Sequence, residues 1–327
     1  MTDNLATLIP KLANRRILVL GDVILDEYIT GRAERLSREA PIPVLEFTSR
    51  RYIPGGAANP ASNIVALRST AIQVGIIGDD ETADHLKSEL QQRGIDISAL
   101  VTVANKPTTL KTRILAQMGH RFPQQVARID TLSRTPIPQS TEEAIISIVK
   151  SHIKRVDAVL VSDYHNGLLT QTVVEQVKII AQGAGVALFV DAQGNLEKYR
   201  GYDVVKCNAD DARQVLRREI VNSAQFDTAA NDLFSSLSLR KAMIITRGGD
   251  GATIANGGVE HIPAPHISDV FDTVGAGDTW IAILTLAHVA GASLAEAALL
   301  ANIASGIVVR HVGNYTPSPH ELAKALK

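Results

Sequence analysis

Short apolar runs recur along this chain with helix-like segments between them, and that alternation restricts the fold more than any other feature. Ile17-Leu18-Val19-Leu20, Val74-Gly75-Ile76-Ile77, Ala158-Val159-Leu160-Val161, Ala187-Leu188-Phe189-Val190, Val204-Val205 and Met243-Ile244-Ile245 contain no polar side chain. Strands of that kind are buried on both faces, as in a parallel sheet. Helical stretches separate several of them, among them 82–92, closed by Gly94, and 170–182, closed by Gly183. The expected fold class is α/β, a doubly wound and mainly parallel sheet with helices on both faces.

Two segments break the alternation. Residues 27–52, with Pro43-Val44-Leu45-Glu46-Phe47-Thr48, and residues 101–129, with Thr108-Thr109-Leu110-Lys111-Thr112-Arg113-Ile114, favour strands and contain no good helix. They read as insertions at about 27–53 and 101–131 that pair into a small β lid over the C-terminal edge of the main sheet, where α/β enzymes bind ligands. No repeat, low-complexity tract or linker divides residues 1–327, so one domain with a lid is expected.

A chain of 327 residues that is 45% hydrophobic can bury a large core. Its formal net charge of −1 gives no general attraction to nucleic acid or to an anionic membrane, so the expected partner is a small molecule. Cys207 is the single cysteine, which leaves no intrachain disulfide or cysteine-based metal site and fits a reducing cytoplasm. The first ten residues lack the basic start and apolar centre of a signal peptide, so no export is expected. The longest apolar stretch, 280–301, is interrupted by His288, Ser293 and Glu296. Gly291 followed by Ser293-Leu294-Ala295-Glu296 reads as a helix stop and a new capping box, hence two buried helices and no membrane span. Ser318-Pro319-His320-Glu321 reads as another helix start.

Asp272-Thr273-Val274-Gly275-Ala276-Gly277-Asp278 carries the chemistry, because an alanine-rich helical run follows directly, at 279–290. The unpaired amides of a helix N-terminus, backed by the helix dipole, can hold a phosphoryl group. Asp278 closes the same turn, where it can accept a hydroxyl proton while the amides at Gly275, Ala276 and Gly277 stabilise the transferring group. Competing motifs fail. Gly275-Ala276-Gly277-Asp278-Thr279-Trp280 puts tryptophan where a dinucleotide fingerprint needs its third glycine. There is no Gly-x4-Gly-Lys-Ser/Thr loop, no Gly-x-Ser-x-Gly elbow and no His-Glu-x-x-His helix.

The seven-residue run resembles the signature of the pfkB, or ribokinase-like, carbohydrate kinases, and Pro54-Gly55-Gly56-Ala57-Ala58-Asn59 resembles their upstream signature. One branch is matched further, the kinases of D-glycero-D-manno-heptose 7-phosphate that often form the first half of a bifunctional kinase/nucleotidyltransferase. The resemblance runs from about Ile17 to the C-terminus and rests on Gly21-Asp22-Val23-Ile24-Leu25-Asp26, Ser37-Arg38-Glu39-Ala40-Pro41-Ile42-Pro43-Val44, Asn63, Thr109 to Leu115 and Ser162-Asp163-Tyr164. No nucleotidyltransferase half follows, so a stand-alone kinase is expected.

The resemblance implies an ATP- and Mg2+-dependent sugar kinase with Asp278 as base and Gly275, Ala276 and Gly277 as the anion hole. Asp22, Asp26, Gly55, Gly56, Asn59 and Asp163 are expected at the sugar. Lys111, Arg113 and Arg128 on the lid are expected at an acceptor phosphate. The nucleotide side is expected from Thr246, Arg247, Gly249 and Gly251, from Asn208 and Asp211 near phosphate or Mg2+, and from Ala298 and Asn302 as the adenine wall. Asp272, with carbonyls near Val274 and Gly313, is the expected place for a monovalent cation such as K+. A homodimer through the lid is expected.

Three stretches depart from the heptose branch. Its Asp-Tyr-x-Lys-Gly, Asp-Pro-Lys-Gly and Asn-x-x-Glu become Asp163-Tyr164-His165-Asn166-Gly167, Asp191-Ala192-Gln193-Gly194 and Asn208-Ala209-Asp210-Asp211. Two lysines are thus replaced by neutral amides, which reduces electrostatic stabilisation of a polyphosphate. Two alternatives stay open: a kinase for a hexose phosphate, ribose or nucleoside, and a catalytically idle regulator that binds nucleotide or sugar.

Overall fold

The computed structural model describes residues 2–119 and 123–326. Its strands are β1 (Arg16–Gly21), β2 (Val23–Leu36), β3 (Pro43–Gly56), β4 (Thr70–Ile77), β5 (Leu100–Thr102), β6 (Leu110–Gln117), β7 (Gln124–Thr131), β8 (Ala158–Asp163), β9 (Ala187–Ala192), β10 (Val204–Asn208), β11 (Ala242–Thr246), β12 (Ala252–Ala255) and β13 (Val259–Ile262). Its helices are α1 (Thr2–Leu8), α2 (Ala58–Ala66), α3 (Glu81–Gln92), α4 (Gln139–His152), α5 (Gln171–Ala184), α6 (Ala209–Leu216), α7 (Ser223–Ser236), α8 (Ala276–Val289), α9 (Leu294–Val308) and α10 (Pro319–Ala325). Among the described residues the strands form a nine-stranded sheet, β13-β12-β11-β10-β9-β8-β1-β4-β5, and a four-stranded sheet, β3-β2-β6-β7.

The large sheet is parallel from β11 to β5 and antiparallel only along β11, β12 and β13. All six apolar runs lie in it, for the reason their composition implies. Side chains alternate across a strand, so Ile17 and Val19 enter the core beneath α2, α3, α8 and α9, while Leu18 and Leu20 enter the core beneath α4, α5 and α7. Strand order reverses at β1, which pairs with β4 on one side and β8 on the other. That switch point lies at the C-terminal ends of β1 and β8, the usual ligand position in open α/β sheets.

The apolar stretch 280–301 is two helices, as expected. Gly291 turns the chain at φ 101°, and Ser293 with Glu296 forms the capping box of α9. Every residue of α8 from Asp278 to Ala287 is buried, as a helix that is apolar all round must be. Among the described residues no helix is long and apolar enough to cross a membrane.

Two expectations need correction. The helix expected to stop at Gly183 continues to Ala184 and ends at Gly185, which takes the left-handed conformation at φ 70°. Gly183 is tolerated inside the helix because only the residue that closes it must turn left-handed. The second concerns the lid. Val101 pairs with Ile76 at the edge of the large sheet, so the second lid segment begins at Leu110. A strand's composition is local, whereas its partner is chosen by the tertiary fold. The small sheet combines the antiparallel hairpins β2–β3 and β6–β7 through a parallel β2–β6 pairing, and Asp22 alone separates β1 from β2.

Candidate functional site

The turn that opens α8 stands against Tyr164, the residue that follows β8. Gly275 caps the helix at φ 78°, and a Cβ there would lie 2.6 Å from Asn59 Nδ2 and 2.7 Å from Asn314 Oδ1, so only glycine fits. The helix starts three residues earlier than the sequence suggested, which puts Ala276, Gly277 and Asp278 in its first turn. Both oxygens of Asp278 are held. Tyr164 Oη donates to Oδ1 at 2.8 Å and Asn59 Nδ2 donates to Oδ2 at 2.9 Å. Burial, aided by the charge of Asp191, pushes the Asp278 carboxyl up to about 7, while the two hydrogen bonds pull the other way. Asn59 is itself oriented from α2, where Asn63 Nδ2 donates to its Oδ1 at 3.2 Å.

The expected sugar residues divide into two groups. Asp26, Gly55 and Asn59 come together around Asn314, whose Nδ2 donates to Asp26 Oδ2 at 3.0 Å and to the Pro54 carbonyl at 3.1 Å. Asp22 sits beside Tyr164: its Oδ2 accepts from the Tyr164 and Asn166 amides at 2.9 and 3.2 Å, and its Oδ1 has no partner among the described residues. Burial and neighbouring Asp163 push its carboxyl up. The close approach made at Gly55 and Gly56 is to these acids: a Cβ would come within 2.4 Å of Asp26 Oδ2 and 2.3 Å of the Asp22 carbonyl oxygen. Asp163 departs from expectation. It is buried and bonded to Tyr199 Oη at 2.6 Å, to the Lys198 ammonium and to the His165 amide, a charge neutralised inside the core.

The three lid cations also differ. Arg113 is paired with Asp26 and stacked on Tyr28. Arg128 is held by both oxygens of Asp130 on the outer strand β7. Lys111 lies over the Tyr164 ring, 5.5 Å from its centroid, and burial lowers the pKa of its ammonium.

On the other side of the turn lies a cavity of about 350 Å3, lined by Thr246, Gly248, Gly249 and Gly251, by Ala276 and Gly277, and by apolar side chains that include Pro265, Ile267, Trp280 and Val309. A Cβ on Gly306 would approach Pro265 Cγ to 2.9 Å, so this glycine lets α9 close the wall. Of the two residues expected as that wall, Ala298 is instead buried in the core. Asn302 does line the cavity, but as a brace: its Oδ1 accepts from Trp280 Nε1 at 2.7 Å, and its Nδ2 donates to the Ile262 and Pro263 carbonyls. Arg247 turns away from this cavity. It bonds Ser223 Oγ and the Asp250 carbonyl, and it lines a neighbouring cavity of about 340 Å3 together with Asn208. Asn208 caps α6 through the Asp211 amide at 2.8 Å. Asp211 accepts from the Gly194 amide at 3.1 Å, leaving Oδ2 buried without a partner among the described residues. Asp272 draws Val274 and Gly313 together by accepting from their amides at 3.0 and 2.9 Å.

Sequence reasoning missed Tyr164 as a partner of Asp278, Asn314 as the link between Asn59 and Asp26, and the buried pair of Lys206 with Asp191. Tyr164 stands in a motif whose acid draws the attention, and Lys206 stands in an otherwise apolar strand just before the motif that starts at Asn208. The apolar wall had no signal beyond hydrophobicity.

Comparison with known proteins places these features in context. The family model described as pfkB family carbohydrate kinase matches residues 14–321. Among curated proteins, the bifunctional protein HldE of Geobacter metallireducens is 39% identical over 308 residues, covering 93% of this chain and 61% of that protein. The bifunctional protein HldE of Hyphomonas neptunium is 36% identical over 329 residues, covering 100% of this chain and 66% of that protein. The chain thus spans 61% and 66% of the length of these two relatives. Among solved structures, Arabidopsis thaliana ribokinase complexed with ribose and ATP has a TM-score of 0.74 at 18% identity, covering 96% of this chain and 99% of that one. Escherichia coli phosphofructokinase-2 in complex with potassium has a TM-score of 0.73 at 19% identity, covering 96% and 98%. These two likenesses establish the ribokinase-like fold.

Proposed function

Because the chain belongs to the pfkB family of carbohydrate kinases, we propose that it transfers the γ-phosphoryl group of ATP to an alcohol of a sugar phosphate in the cytoplasm, with heptose 7-phosphate as the favoured acceptor. One observation carries this reading: a buried carboxylate, Asp278, pushed up to about 7, stands in the first turn of a helix whose Ala276 and Gly277 face an apolar cavity. A base poised near neutral pH beside an anion-holding turn is what transfer to a hydroxyl requires. The acceptor oxygen forms a bond to the γ-phosphorus and its proton passes to Asp278. The bond from that phosphorus to the β–γ bridging oxygen breaks, and ADP leaves with the electron pair. Amides of the α8 turn offset the charge on the γ oxygens.

The base of the nucleotide occupies the cavity beside Pro265, Ile267 and Trp280, and its phosphates run along Thr246, Gly248 and Gly249 toward Gly277. No group of three or more acids, histidines or cysteines among the described residues could by itself hold a metal ion. That fits Mg2+, which keeps waters and phosphate ligands, and the unpartnered Asp211 Oδ2 fits as its protein acid. When bound, Mg2+ neutralises charge on the polyphosphate. Asp272 with the carbonyls near Val274 and Gly313 forms the K+ place. Lys111 serves the acceptor phosphate. A second copy docks on the lid, whose strands expose Phe47, Val126 and Ile129.

The heptose assignment rests on the stretches that resemble that branch. The deciding experiment is phosphoryl transfer by purified protein with ATP and Mg2+ against heptose 7-phosphate, fructose 6-phosphate, ribose and adenosine. Transfer at least about tenfold faster to heptose 7-phosphate is expected. Preference for another sugar overturns the acceptor, and ATP binding without transfer to any of them selects the idle regulator.

A further inference from the structure

Lys206 is a buried cation without a role in the site as described so far. It lies on β10 opposite Asp191 of β9, it is 4% exposed, and its ammonium donates to both oxygens of that carboxylate at 2.9 and 2.8 Å. A buried ion pair is weak evidence for stability, because desolvating two charges consumes most of what their attraction returns. Its position is informative. A Cβ built on Gly277 would lie 3.1 Å from Lys206 Nζ and 3.9 Å from Asp191 Oδ2. The missing side chain at Gly277 therefore lets an ammonium stand against the N-terminus of α8. An ammonium and a helix N-terminus are both positive, and the Asp191 carboxylate already bonded to Lys206 supplies one balancing anion, so a phosphoryl group at the Gly277 turn would be held by the helix amides and the ammonium together.

The positions where the heptose branch has lysines do not supply that charge. Asn166 lines a separate small cavity with Asp22, Lys106 and Thr109. Gln193 is neutral. Among the described residues that line the large cavity there is no lysine or arginine.

We propose that Lys206 is the cation of phosphoryl transfer in this chain, contacting the γ-phosphoryl oxygens at the Gly277 turn in place of the two lysines exchanged for Asn166 and Gln193. The inference rests on the sugar-kinase reading above. Lys206 makes and breaks no bond in the transfer. Its charge offsets that on the phosphoryl oxygens while the acceptor proton moves to Asp278. Asp191 is the counter-ion that keeps the ammonium charged within the protein until nucleotide arrives. The same carboxylate raises the Asp278 pKa and Lys206 lowers it, so the pair and the base sense one another.

Full-length protein tests this by calorimetric titration with ATP, ADP and AMP in Mg2+, comparing wild type with the double variant Lys206→Met, Asp191→Asn, which leaves no lone charge in the core. Thermal melting establishes that the variant folds. Should it not melt cooperatively, Lys206→Gln, which keeps a donor for Asp191, carries the same comparison. The expected result is a loss of ATP affinity of about tenfold or more with AMP affinity unchanged, because only the longer polyphosphate reaches Gly277. An unchanged ratio of ATP to AMP affinity overturns the assignment of Lys206. Wild-type protein that binds no ATP overturns the sugar-kinase reading itself.

Discussion

The two sides of the α8 turn are built from different materials. Toward the lid, polar side chains are bonded to one another: Asp278 to Tyr164 and Asn59, Asp26 to Arg113 and Asn314, and Asp22 to two backbone amides. Toward the cavity of about 350 Å3, the surface is mostly glycine backbone and apolar side chain, with Thr246, His266, Thr273 and Ser305 among them and Asn302 turned to bracing the wall. On the first side, polar groups are oriented by one another. On the second, shape does the orienting. The lid side should therefore respond to loss of a charge or donor, and the cavity side to added volume.

Asp278→Asn is expected to have the largest effect, a fall in kcat of ~10²–10⁴ with ATP affinity kept, since only proton acceptance is removed. Steady-state kinetics and calorimetry check both halves. The same variant should be the more stable protein at pH 8. Folding raises the Asp278 pKa from 3.8 to about 7, so the folded state binds its proton more tightly and this group's stabilisation is lost as pH rises through that window. Gly277→Val probes the cavity side by volume alone. Its side chain would press on the Lys206 ammonium and fill the phosphoryl position, with a rate loss on the order of 10² expected. A melting temperature close to wild type would confine the damage to ligand, and full activity would break the comparison.

Lys111→Ala should raise the Michaelis constant of a phosphorylated acceptor roughly ten- to a hundredfold and leave that of ATP alone. Arg113→Ala should lower the melting temperature as well, because it leaves Asp26 without its cation. Equal effects of Lys111→Ala on both substrates would mean that the two sides are not separate. The smallest change is expected from Tyr164→Phe. Its hydroxyl stabilises the ionised base, so its removal should move the acid limb of kcat/KM, near pH 7 in wild type, upward by about a unit or less. A limb that stays in place would remove Tyr164 from control of the base.

The same contrast explains what could be read from the sequence. Asp278, Gly275, Asn59, Asp22 and Asp26 could be singled out as candidates because each stands within a motif, and the structure brings Asp278, Gly275, Asn59 and Asp26 together around Asn314 and Tyr164. The cavity wall could not, since an alanine such as Ala298 looks alike in a core and in a pocket, and only packing tells them apart. Asp163 misled because burial beside Lys198 and Tyr199 turned a motif acid into a core charge. In the fold, apolar runs revealed each strand of the large sheet from β1 to β11 that they fell in, but Val101 showed that a run does not name its partner.

The central place of β1 bears on how the chain comes to be folded at all. During synthesis β1 can pair with β4 early, yet its other edge waits for β8, from Ile17 until Ala158 has been made. At ~5–20 residues per second that is on the order of ten seconds. For that interval a strand that is apolar from Ile17 to Leu20 presents an unpaired edge, the condition under which nascent sheets associate wrongly. Asp278 can meet Asn59 and Tyr164 only once it has itself been made, and Asn59 can meet Asn314 only after residue 314, so the site assembles long after its first strand is formed.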